Sequence, residues 1–151
     1  MLKKLFLLCL IALSICSTCF ANDNLRVALV YGQYSAEISC DDEFTVEDLA
    51  TGKMNTIPEG KYFLNVKEGK LTMGEHTFSN KIAINRFEGK SLPQINKRRY
   101  VGALVAQTQG DRLLVNNIVN LELYLCSVLP SKTMPIWPDE AIKAQAVAAR
   151  S

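Results

Sequence analysis

A chain of 151 residues with 17 basic and 15 acidic side chains is long enough for one domain with a hydrophobic core. It carries no net basic field of the kind that marks a nucleic-acid binder. Its only histidine, His76, has no ligand-spaced Cys, Asp or Glu around it, so no metal site and no cofactor is expected.

The first 21 residues read as a secretory signal peptide. Lys3 and Lys4 supply a basic start, Leu5 to Phe20 is an apolar run, and Cys19 and Ala21 are small residues ahead of a cut after Ala21. The run falls short of the roughly 20 apolar residues of a spanning helix, so export without a lasting membrane span is expected. A lipid-bearing Cys16 or Cys19 is the weaker alternative, because Ile15 and Thr18 suit such a site poorly. Removing the leader takes two lysines with it and leaves 15 basic against 15 acidic side chains in residues 22–151. Of the five cysteines only Cys40 and Cys126 then remain. They can form one disulfide or stay two small buried side chains, and two residues set no pattern that decides.

Leu25 to Tyr31 (LRVALVY) reads as a buried strand. Ala36–Ser39 and Glu43–Leu49 alternate as two more, followed by turns at Thr51-Gly52-Lys53 and Pro58-Glu59-Gly60. Tyr62–Val66 and Lys70–Met73 flank Glu68-Gly69, a tight hairpin signal. Phe78 to Phe87 has period two, with Ile82, Ile84 and Arg86 on one side and Ala83, Asn85 and Phe87 on the other. Gly89 to Arg99 reads as a solvated loop, although its triplet Lys97, Arg98, Arg99 could also touch an anionic wall polymer. Tyr100–Ala106 and Arg112–Ile118 form a second hairpin across Gln109-Gly110-Asp111.

The last stretch, Val115 to Ser151, is a helix–loop–helix. Asn120 is a good N-cap for a short helix over about 121–129, with Leu121, Leu123, Leu125 and Val128 behind it and Glu122 favouring the helix dipole. Pro130 should stop that helix. Pro138, Asp139 and Glu140 suit the start of an alanine-rich helix over about 138–150, whose smooth side is expected to bury against a neighbour. Strands followed by helices make the fold class α+β: an antiparallel β-rich domain and then the helical pair, a single domain over 22–151. The second helix has no closing Gly, Asn or Pro, so this reads as the front part of a longer protein.

Here the sequence resembles the stage II sporulation protein D / LytB family of amidase enhancers and lytic transglycosylases, in particular its N-terminal domain. The shared residues are Tyr100 and Gly102, Val115-Asn116, Leu121-Glu122-Leu123-Tyr124-Leu125, Val128-Leu129-Pro130-Ser131, and Trp137 through Ser151 (WPDEAIKAQAVAARS). The resemblance implies an exported cell-wall protein that meets peptidoglycan glycan strands, with a cell-wall amidase as the alternative partner. It also implies a catalytic glutamate directly after Pro-Ser. One carboxyl could protonate the glycosidic oxygen and then accept the proton of the sugar's own 6-hydroxyl.

This chain departs from the pattern at that place, where Lys132 stands; Val101 replaces the Arg of the Tyr-Arg-Gly motif, and Thr133 the family Met. A lysine ammonium, with an ordinary pKa near ~10.4, is too weak an acid at neutral pH unless burial pulls it far down, and its charged form is positive. Lost or reduced cleavage is therefore expected. The candidate site residues are Lys132 in the catalytic position and Ser131, Trp137, Gln145 and Arg150 as substrate contacts. Each has a plainer role: a turn at Ser131, loop packing at Trp137, solvent or ion pairing for Gln145 and Arg150. Glu122, Asp139 and Glu140 read as helix-start carboxylates. Two functions follow, a lytic transglycosylase with an acid from elsewhere and a non-catalytic wall-binding or amidase-enhancing module. A secreted β-rich protein with another partner is a third.

Overall fold

The computed structural model describes residues 24–86, 91–132 and 136–150, without the side chains of residues 86, 131 and 132. The expected leader, residue 87 of the expected Phe78–Phe87 strand, and residues 133 and 134 of the family pattern lie outside that range. No helix among the described residues is long and apolar enough to cross a membrane.

The described strands are β1 (Asn24–Gln33), β2 (Ser35–Cys40), β3 (Phe44–Asp48), β4 (Met54–Ile57), β5 (Gly60–Lys67), β6 (Lys70–Met73) and β7 (His76–Phe78). Then come β8 (Lys81–Arg86), β9 (Gln94–Ile95), β10 (Arg98–Arg99), β11 (Ala103–Gln109) and β12 (Arg112–Asn120). Two helices close the chain, α1 (Leu121–Lys132) and α2 (Asp139–Arg150). The architecture is α+β, with every strand pair antiparallel. One six-stranded sheet runs β1-β12-β11-β8-β3-β4 and the other β10-β9-β2-β5-β6-β7.

Period-two alternation builds the space between the sheets. On β12 the inward row is Leu113, Val115, Asn117 and Val119; on β3 it is Phe44, Val46 and Asp48. Leu104 and Ala106 of β11, Ile82 and Ile84 of β8, Leu64 of β5 and Leu71 and Met73 of β6 complete it, all fully buried. A Leu or Ile removed from water contributes about 1.5–3 kcal/mol, so this layer dominates the stability. Phe44 meets Tyr62 edge to face at 6.0 Å. The chain changes sheets between β1 and β2 at Tyr34, where the Arg112 guanidinium lies 3.8 Å over the ring and donates to the Gly32 carbonyl at 3.1 Å.

Several expectations need correction. The Gln94–Arg99 part of the expected loop is a hairpin, in which Ile95 is buried and Asn96 and Lys97 turn the chain with φ of 49° and 68°. The turn holds because Asn96 accepts from the Glu37 amide at 3.1 Å through its side chain and donates its own amide to the Glu37 carbonyl at 2.9 Å. β4 lies between two turns in a stretch with no apolar alternation to show it. The Phe78–Phe87 run is cut at Ser79 and Asn80, so Phe78 ends β7 in one sheet and Lys81 opens β8 in the other. Ala83 is buried on the face opposite Ile82 and Ile84. The expected Glu68-Gly69 hairpin is present, both residues having positive φ as a two-residue β-hairpin turn requires.

The cut at Ser79 has a cause in Asp48. This inward-facing carboxylate accepts from the Ser79 amide at 2.7 Å, from the Ser79 hydroxyl, and from the amides of Ala50 and Thr51 at 3.0 and 3.3 Å. Removal from water is the largest influence on its pKa and raises it. The hydrogen bonds together outweigh that, so the carboxyl stays below its ordinary value.

Candidate functional site

β12 runs directly into α1, and the junction is made by Asn120, whose side-chain oxygen accepts from the Glu122 amide at 2.9 Å. Of the apolar residues expected to anchor α1, Leu125 is buried, Leu121 and Val128 are half-buried, and Leu123 is 49% exposed. Pro130 does not stop the helix, which continues to Lys132. A proline forfeits its own N–H bond but not those of the residues after it, so a last partial turn survives.

α2 opens after Pro138, whose carbonyl accepts from the amides of Ala141 and Ile142 at 2.9 and 3.2 Å. The expectation that its alanines bury themselves is overturned: none of its residues is buried. Ala141, Ile142, Gln145 and Ala146 form a half-covered stripe, while Ala144, Ala148 and Ala149 face solvent. Alanines remove little area from water, so a smooth helix resting on one neighbour stays largely wet. α2 packs on α1, and an ion pair between Arg150 and Glu122 ties the last turn of one to the first turn of the other. Both side chains are more than half exposed. Arg150→Ala is therefore expected to cost no more than about 1 kcal/mol in urea melts. A larger loss would make the pair a principal clamp.

This arrangement separates the residues read from the sequence as one site. Lys132 ends α1 and Trp137 precedes α2, so both belong to the end of the helical pair bearing the connecting loop. Trp137 is 38% exposed, and the side chains of Ser131 and Lys132 lie outside the description. Arg150 is at the opposite end, roughly 20 Å along the helix from Trp137 by helical rise, and is occupied by Glu122. Gln145 sits half-buried between them. The other carboxylates of the pair are exposed: Glu140 binds Lys143 at 2.8 Å, and Asp139 lies in the first turn of α2.

Cys40 is buried, its thiol reaching the Ser91 carbonyl at 3.6 Å; Cys126 is exposed, and both are free. His76 stacks on Phe78 with centroids 6.2 Å apart. Among the described residues no three His, Cys, Asp or Glu side chains gather where they could hold a metal ion.

A cleft of about 320 Å³ lies elsewhere, between the Arg98–Val101 segment, the inner ends of β1 and β12, and one face of α1. Tyr100, Tyr124, Ser127 and Asn117 give it polar groups, and Val119 and Leu123 belong to its apolar wall. Behind Val101, Gly102 has a φ of 98°, and a Cβ there would come within 2.3 Å of the Ile118 carbonyl oxygen. Sequence reading passed over Asn117, although a lone amide in the apolar row Leu113, Val115, Val119 was a visible signal.

Residues 108–151 match the family model described as SpoIID, Stage II sporulation protein, the part of the chain holding β12 and both helices. The family resemblance read from Tyr100 onward is shared there, and the match suggests a family related to sporulation or the cell wall. Over 65 residues the chain is also 43% identical to an uncharacterised protein of Brachyspira hyodysenteriae. That match takes in 43% of this chain and 18% of the relative's length. No solved structure matches.

Proposed function

We propose that this is an exported cell-wall protein that binds peptidoglycan glycan strands without cleaving them. The observation carrying the reading is Lys132, which stands where the family resemblance calls for the catalytic glutamate, within the stretch that matches the SpoIID model. Proton transfer to a glycosidic oxygen needs a group that is an acid near neutral pH. The described carboxylates of the helical pair are poor substitutes. Glu122 and Glu140 are exposed and ion-paired, and a general acid is ordinarily tuned by burial. Export rests on the leader-like residues 1–21.

Purified glycan strands incubated with wild type should yield no anhydro-ended products, whereas Lys132→Glu should yield them. Wild-type protein should be retained on sacculi at moderate salt. Anhydro ends made by wild type would overturn the non-cleaving reading in favour of a transglycosylase with another acid. Absence of retention would remove the wall from the proposal. An amidase whose turnover rises when the protein is added would identify the wall-binding module as an enhancer.

A further inference from the structure

We infer that the cleft beneath Arg98–Val101 is a binding site for the carboxyl end of a short peptide with small apolar side chains. The inference goes beyond the reading at Lys132 and does not depend on it. The cleft, at about 320 Å³, has the size of a small-ligand site, and its walls are mostly apolar. Two polar side chains that line it have a group without a partner among the described residues, the Asn117 oxygen lying sealed against Gly102. Asn117 is only 6% exposed, in a core row otherwise made of Leu and Val, yet its side-chain oxygen has no hydrogen-bond partner. Leaving a buried acceptor empty is costly, so a donor arriving with a ligand is favoured.

The second group is Arg98. Its neighbour Arg99 is held by Asp41 at 2.8 Å, whereas Arg98 makes no ion pair among the described residues. The tight turn at Asn96 and Lys97 sets Arg98 at the cleft. A guanidinium takes a carboxylate through two parallel hydrogen bonds.

An acceptor for an amide N–H, a cation for a carboxylate and an apolar wall in one cleft match a peptide terminus. Asn117 takes the last peptide N–H, after a turn of its carboxamide about a soft terminal torsion. Arg98 takes the terminal carboxylate, and Val119 and Leu123 cover a methyl-sized side chain. A sugar hydroxyl could meet Asn117 but would leave Arg98 without its anion.

The test is titration of isotope-labelled protein with N-acetyl-Ala-Ala, in all-L and all-D forms, and with its C-terminal amide, followed by amide shifts. The free acid should saturate shifts at residues 98–101, 117 and 124 and bind at least ~10-fold tighter than the amide. Arg98→Ala should abolish that preference and Arg98→Lys keep part of it, both with unchanged melting temperature because the side chain is exposed and makes no ion pair among the described residues. Preference for the D form assigns the site to wall peptides; preference for the L form assigns it to protein termini. Equal binding of acid and amide, shifts elsewhere, tighter binding of N-acetylglucosamine, or no saturable shift overturns the proposal. Sacculus retention is scored separately, so failure here is distinguishable from failure of the wall-binding reading.

Discussion

Gly102→Ala should lower stability by at least ~3 kcal/mol, read as a fall in the urea midpoint at unchanged slope. Two costs add. The backbone at Gly102 has a φ of 98°, a region where any Cβ is strained. That Cβ would also stand 2.3 Å from the Ile118 carbonyl oxygen, a backbone atom fixed by the pairing of β12 with β1 and β11. A flexible side chain could swing aside, but a ladder carbonyl cannot without breaking register. The natural comparison is Val101→Ala next door, at an exposed position, which should change stability by about 0.5 kcal/mol or less. If the two variants melt alike, Gly102 is not the constraint described.

Asp48→Asn should be the other large loss, about 2 kcal/mol at pH 7. The carboxylate accepts four hydrogen bonds at the end of β3, and an amide accepts through one oxygen only. The acid dependence separates this from a mere change of shape. The folded-state pKa is depressed below that of the unfolded chain, so the carboxylate's contribution is fully present above the unfolded value, near ~3.9. It is lost as pH falls through the folded value. Wild type should therefore shed stability between about pH 5 and pH 2 more steeply than the variant, and the gap should narrow in acid. Parallel curves across that range would show that Asp48 holds the turn through geometry and not through charge.

How much of this was legible in the sequence depends on the kind of signal. Alternation in Arg112–Ile118 and the Glu68-Gly69 turn were readable because period two and positive-φ residues are local properties. Asn120 was readable as a cap for the same reason. The hairpin at Gln94–Arg99 was not, since its support comes from Glu37 on a distant strand and its turn uses Asn-Lys without glycine. The part played by Asp48 was not legible, because its main partner, Ser79, is 31 residues away. The alanine helix misled for another reason: a pattern states which side is smooth, not whether anything covers it. At the site, Arg150 and Trp137 shared one motif in sequence, yet a helix of a dozen residues places them at its two ends.

The pairing of β1 with β12 also sets a timetable for folding. Asn24 lies opposite Asn120, so the first described strand cannot complete its ladder until nearly a hundred further residues are available. Contacts so distant along the chain are reached late, which points to folding in milliseconds to seconds rather than microseconds. In that interval β1 offers unpaired amides and carbonyls to any other extended chain. Its two interruptions of register, at Ala28/Val30 and Tyr31/Gln33, make it a poor template for a second copy and so give the slow closure time to finish.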